Sequence, residues 1–376
     1  MQRIFHTPDG YRDIYKKEYR EKRSLTAKVD RVFAEFGYEA IQTPAVEFFE
    51  VFSREVGTTP SRELYKFFDK EGNTMVLRPD FTPSIARAAA TYFLGKSEPL
   101  RLCYSGNTFI NHSGLRGRLR ENTQMGVEYL GDASAEADAE VLAMAVECLK
   151  QSGLSEFQIS VGEIEFFRAL LTEAGMDEDT EESLRGLISK KNYFGVEELV
   201  RGLDLKAELT EVFLRLPQLF GSVEILDEAQ RLTSNPRALE AISRLREIYE
   251  ILRCYGAEKY ISFDLGMLSK FRYYTGIIFQ GYTYGTGEPI VKGGRYDTLL
   301  QHFGKSSPAV GFGIVIDQLH LALNRQKIEI PTDEEPLVLE YEESTREEVI
   351  ARAVRLRSEG KRVVLHRKKE DASCGI

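Results

Sequence analysis

An α+β fold, an antiparallel sheet flanked by helices, is predicted by three observations. Strand chemistry rich in β-branched and aromatic residues fills the chain before about residue 165 and returns after residue 255. The stretch between, 165–255, is Leu-rich with helical periodicity and is broken at Gly175, Gly195, Gly202, Pro217, Gly221 and Asn235-Pro236, so it reads as a helical insertion into one sheet. The end of the chain, PLVLEY, STREEVIARAVRLRSEG and KRVVLHRK, reads as strand, helix and strand. The expected organisation is a core over 1–325 carrying the insertion, a linker over 326–335 and a short βαβ unit over 336–376. So small a unit buries too little surface to fold well alone and is expected to dock on something.

The elements follow in order. Residues 15–35 place Leu25, Val29, Val32, Phe33 and Phe36 at helical spacing, with Gly37 as the stop. YEAIQTPAVEFFEVF carries β-formers broken by Pro44, which suits a strand that ends or lies at an edge. KFFDKEG and NTMVLRPD, joined by Gly72-Asn73, read as a hairpin, and PLRLCYSGNTFI as a further strand. SIARAAATYFLG is a helix by composition. NTQMGVEYLG reads as a strand, and SAEADAEVLAMAVECLKQSG as a helix that starts acidic and ends at Lys150. Past the insertion, ISFDLG, RYYTGIIFQGYTYG, EPIVKGG and VGFGIVI read as strands, and DQLHLALNRQ as a helix.

Composition narrows the class. The 376 residues exceed one small module, and 42% hydrophobic with 29% charged residues is the make-up of an ordinary globular chain. A net charge of −9 argues against a broad electrostatic grip on nucleic acid. Four scattered cysteines without a CxxC pair, and five histidines, point to neither a disulfide framework nor a metal site, and fit a cytoplasmic protein. The opening MQRIFHTPDGYRDIYKKEYREKR is charged every few residues, so neither a leader nor a membrane span is expected.

Several side chains sit where chemistry could occur. Gln124 and Glu128 share one face of a strand while Met125 and Val127 take the other; the polar face is either solvated or the floor of a ligand site. Asp80, in LRPDFT, reads first as a cap for the helix that follows, and a cap made through one oxygen still leaves the other to meet an amine. Arg116, Arg118 and Arg120 read first as a solvated hairpin tip and, alternatively, as an anion contact. Tyr273 and Tyr274 read first as packing and, alternatively, as recognition, each with an apolar body and a polar tip. VKGGRYD lacks the spacing of a phosphate loop.

The order of these blocks is more telling than any one of them. HTPDGYRD, GYEAIQTPAVE, LRPDFT, the arginine loop running into QMGVEYLG, RYYTG, KGGRYD and GFGIVIDQL occur in the order found in the histidyl-tRNA synthetases, and the resemblance spans about residues 6–325. It implies a class II aminoacyl-tRNA synthetase-like antiparallel sheet and a self-dimer through the region resembling GYEAIQTPAVE. It also implies an L-histidine site in which Asp80 and Thr82 meet the α-amino group, Gln124 and Glu128 meet the amino group and imidazole, and Tyr273 and Tyr274 line the side-chain pocket.

The nucleotide-handling residues depart from that pattern. Where the synthetases read Phe-Arg-His-Glu-Arg, this chain has Phe109-Ile110-Asn111-His112-Ser113; Ser269 replaces an arginine ahead of the two tyrosines; and Asp317-Gln318-Leu319 replaces Glu-Arg-Leu. At roughly 2–4 kcal/mol for each preorganised donor, three such losses would remove most of an adenylation rate enhancement. The combination resembles the regulatory subunits of ATP phosphoribosyltransferase, synthetase paralogues in which Pro83 after LRPDFT is typical. That resemblance implies no catalysis and no cofactor, a short-form catalytic subunit as partner in a hetero-octamer, feedback inhibition by histidine, and no nucleic acid. A divergent histidine-activating synthetase is the alternative.

Overall fold

In a computed structural model of the protein, residues 5–52, 59–93, 95, 98–112, 118–268, 273–332 and 335–368 are described. They form two compact units, Met1–Ile330 and Pro331–Ile376.

The first unit opens with α1 (Lys16–Glu35), which buries Leu25, Val29, Val32 and Phe33 on the stripe their spacing predicts. It stops at Gly37, whose φ of +78° suits glycine. The chain continues through β1 (Glu39–Ala40), β2 (Val46–Phe48), β3 (Lys66–Phe68), β4 (Thr74–Leu77) and α2 (Thr82–Tyr92). β5 (Leu100–Phe109), β6 (Glu121–Leu130) and α3 (Ala135–Ser152) follow, then β7 (Phe157–Glu163). The Leu-rich stretch is α4 (Ile164–Ala174), α5 (Glu178–Ser189), α6 (Tyr193–Arg201), α7 (Ala207–Arg215), β8 (Phe220–Gly221), α8 (Ile225–Arg231) and α9 (Pro236–Cys254). The unit closes with β9 (Ile261–Asp264), β10 (Ile277–Thr283), β11 (Val291–Arg295), β12 (Ala309–Val315) and α10 (Ile316–Arg325).

One nine-stranded sheet, in the order β1-β5-β6-β12-β11-β10-β7-β9-β8, organises this unit. It is antiparallel except for the β1·β5 and β7·β9 pairs. The predicted hairpin joins β3 to β4 through Gly72 in a separate antiparallel trio, β2-β4-β3. The helical stretch is not a separate body. α9 buries Ala238, Ala241, Ile242, Leu245, Ile248 and Leu252, packs on α3 and α4, and shares one hydrophobic core with α1, α3 and the sheet. β8 even extends the sheet by pairing with β9. The reason is area: a stripe that wide on α9 needs a sheet and two helices to cover it.

The second unit is the predicted βαβ: β13 (Leu337–Tyr341) and β14 (Val363–Arg367) pair in parallel, with α11 (Arg346–Ser358) between them in sequence. Its own core is small, made of Leu339, Ala353, Leu356 and Val363. No helix among the described residues is long and apolar enough to cross a membrane.

Candidate functional site

The period-2 alternation of β6 starts the site. Met125 and Val127 point into the core, 1% and 0% exposed, while Gln124 and Glu128 line a cleft of 510 Å³ on the other face. Opposite them, β12 places Gly311 against Glu128 and runs on through Gly313. A Cβ on Gly311 would lie 2.0 Å from Glu128 Oε2, and one on Gly313 would lie 2.4 Å from Gln124 Nε2. Only glycine leaves room here for the two polar side chains to cross the neighbouring strand.

Glu128 is 1% exposed and Gln124 is half-buried, so this face of the strand is closed off most at Glu128. Thr82 Oγ1 donates to its Oε1 at 2.6 Å, and the Tyr296 hydroxyl donates to its Oε2. Burial pushes the Glu128 carboxyl up to about 8; the two hydroxyls pull it down, and the charge of Asp80 adds to the rise. Asp80 sits one residue before Phe81, the actual N-cap of α2, and does not cap that helix. Its Oδ1 accepts from the Phe81 amide at 2.7 Å and from Gln124 Nε2 at 3.4 Å, and among the described residues Oδ2 has no hydrogen bond. Gln124 Nε2 also donates to the Tyr104 hydroxyl at 3.0 Å.

Aromatic rings form the walls. Tyr273 and Tyr274 lie 4.2 Å apart, and Tyr273 meets Tyr296 edge-on at 6.1 Å. Tyr104 stacks on Phe81 at 4.3 Å, and the Arg78 guanidinium lies 4.0 Å from the same Phe81 ring. Arg78 is locked there by the Thr43 and Asn107 carbonyls at 2.8 and 2.9 Å, so it supports the wall and does not reach a ligand. Burial holds the Tyr104, Tyr273, Tyr274 and Tyr296 hydroxyls above their ordinary range, keeping them as neutral donors.

All six residues expected at an amino-acid site, Asp80, Thr82, Gln124, Glu128, Tyr273 and Tyr274, therefore line one cleft. Sequence reasoning left out Tyr104 and Tyr296, which hold Gln124 and Glu128. Tyr104 could have been found from strand alternation, since it stands opposite Gly126 in the β5·β6 register. Tyr296 lies in KGGRYD, a block whose order in the chain was informative but whose tyrosine carried no local signal.

At the other end the cleft is lined by Ile110, His112, Arg118, Glu288 and Gln318. Arg118 is ion-paired with Glu288. Burial, followed by the nearby Arg118 charge, lowers the His112 pKa. Arg120 does not line the cleft, because its backbone is pinned between Gly10 and Ile110 and its stem lies along Gly10. Arg116 lies outside the described residues, as do Ser113 and residues 269–272. Asp317 accepts from Lys22 at 2.7 Å and from the Thr123 amide at 2.6 Å, tying α10 to α1 and β6.

Known proteins give this geometry a context. A family model described as histidyl-tRNA synthetase matches residues 10–319. A relative from Acetivibrio thermocellus named ATP phosphoribosyltransferase regulatory subunit is 43% identical over 94% of this chain and 85% of its own length. One of the same name from Thermoanaerobacter pseudethanolicus is 39% identical over 96% of this chain and 94% of its own. Among solved structures, an ATP phosphoribosyltransferase regulatory subunit/histidyl-tRNA synthetase from Bacillus halodurans superposes with a TM-score of 0.88 at 34% identity, covering 99% of this chain and 94% of that one. A histidyl-tRNA synthetase from Nostoc, with a TM-score of 0.81 at 22% identity over 98% of this chain and 87% of that one, shares the fold.

Proposed function

Because this chain belongs to the histidyl-tRNA synthetase family and, within it, to the ATP phosphoribosyltransferase regulatory subunits, we propose that its cleft binds free L-histidine as a signal and performs no chemistry of its own. In this reading the protein works in the cytoplasm, activates a short-form catalytic subunit within a hetero-octamer, and transmits feedback inhibition when histidine occupies the cleft. A coupling of about 1–3 kcal/mol between histidine occupancy and the state of the assembly is enough for such feedback.

The observation that carries the reading is Glu128. It is a buried carboxylate with neutral hydroxyls on both oxygens, beside tyrosine rings and close to the open oxygen of Asp80. An imidazole and an ammonium N–H can each find an acceptor there, and the rings supply flat apolar walls. The other end of the cleft supports the absence of adenylation: Ile110 and Gln318 stand where the synthetase pattern has arginines, and Arg118 is engaged by Glu288. Self-association has a candidate surface in the β2-β4-β3 trio, where Val46, Phe48, Phe67 and Phe68 are exposed.

The deciding experiment mixes the full chain with a short-form catalytic subunit and follows phosphoribosyl-ATP formation. Stimulation by this chain and suppression of it by histidine are expected; a rate indifferent to both overturns the proposal. Histidine-dependent ATP–pyrophosphate exchange by this chain alone would instead establish the histidine-activating alternative.

A further inference from the structure

A second cleft, of 520 Å³, opens between α9, α3 and the ends of β7 and β11, and shares no lining residue with the first. Its three arginines are already engaged. Arg244 and Arg295 both bond Asp138, at 2.7 Å each, and Arg237 pairs with Glu165. Three carboxylates remain: Glu240 and Glu247 on the exposed face of α9 at the mouth, and Glu163 at the end of β7. Among the described residues none of the three has an ion-pair partner.

Glu163 sets this cleft apart from an ordinary acidic surface. It is 4% exposed and lines the cleft. Its Oε1 accepts from the Glu165 amide at 3.2 Å, capping α4, while among the described residues Oε2 has no hydrogen-bond partner. Capping explains one oxygen and a short polar side chain would do it as well. The second oxygen belongs to a side chain that lines the cleft and is almost wholly out of bulk water, where an unpaired carboxylate is costly. Burial pushes this carboxyl up to about 8, and the charge of Asp138 adds to the rise, against the pull of the Glu165 amide and of Arg244. Among the described residues no group of three or more His, Cys, Asp or Glu is placed to hold a metal ion, and a carboxylate oxygen accepts readily from an N–H donor.

We propose that this cleft is a second ligand site, taking a small organic cation whose ammonium or guanidinium N–H bonds Glu163 Oε2, with Glu240 and Glu247 drawing it in. The inference is independent of what occupies the first cleft.

Calorimetry on the full chain at pH 9, above the value of about 8 to which burial pushes Glu163, tests it with agmatine as the probe and tetramethylammonium as a cation without N–H. Agmatine is expected to bind and tetramethylammonium to bind about tenfold more weakly or worse. Glu163→Gln keeps an oxygen for the α4 cap and is expected to weaken agmatine about tenfold or more. No agmatine binding to the native chain, equal affinity for the two cations, or unchanged affinity in Glu163→Gln overturns the proposal. If Glu163→Gln fails to fold, the surface double variant Glu240→Gln/Glu247→Gln decides: a severalfold loss supports the site, and unchanged affinity removes it.

Discussion

The two ends of the first cleft rest on one sheet yet handle charge in opposite ways. At the inner end Glu128 is buried, has no cationic partner among the described residues, and is held by two neutral hydroxyls. At the outer end Arg118 and Glu288 neutralise each other, each with a substantial part of its side chain in water. The contrast shows where ligand binding energy can come from. A cation gains at the inner end because it relieves a carboxylate that has no charged partner among the described residues, whereas an anion at the outer end must first displace Glu288.

Stability against pH gives the largest test of that contrast. Glu128 has a native pKa of about 8 against an ordinary 4.5. Below 4.5 it is protonated in both the native and unfolded states; between 4.5 and 8 only the unfolded state releases the proton, so stability falls as pH rises through this window. The total is on the order of 5 kcal/mol. Glu128→Gln should remove this part of the slope and be the more stable protein at pH 9, read from urea midpoints at pH 5 and pH 9. A native slope identical to that of the variant would break the claim that the inner end is uncompensated.

Histidine affinity comes next. Glu128→Ala should weaken histidine binding by about 3 kcal/mol, roughly 100-fold, by calorimetry; an unchanged dissociation constant would remove Glu128 from the site. Tyr296→Phe deletes one hydroxyl from Glu128 and should cost about 1 kcal/mol in histidine binding while moving the Glu128 titration upward. The smallest effect belongs to the outer end. Arg118→Ala, which breaks an exposed pair, should change both histidine affinity and stability by less than about 0.5 kcal/mol. A loss comparable to that of Glu128→Ala would mean that both ends bind one ligand.

Much of this was legible in the chain. The alternation of NTQMGVEYLG put Gln124 and Glu128 on one face, and the hairpin at Gly72, the stripe of α1 and the terminal βαβ unit followed from local pattern. β7 was harder to read, because FQISVGE runs straight into α4 without a glycine or proline break between them. Asp80 was ambiguous for a different reason. Capping depends on where the first helical turn begins, and the structure puts that at Phe81.

What the sequence determined by itself is the alternation of each strand, the ends of most helices and the order of blocks that marks the family, since these rest on neighbours within a few residues. What only the tertiary structure decided is whether the polar face of β6 lies open on the surface or is enclosed in a cleft. That depended on Gly311 and Gly313 arriving on the adjacent strand with no side chain to fill the space, and on Tyr296 closing over Glu128 from 168 residues away. Burial is a property of what packs alongside, so the shifted carboxyl at the centre of this protein exists only once the sheet has formed.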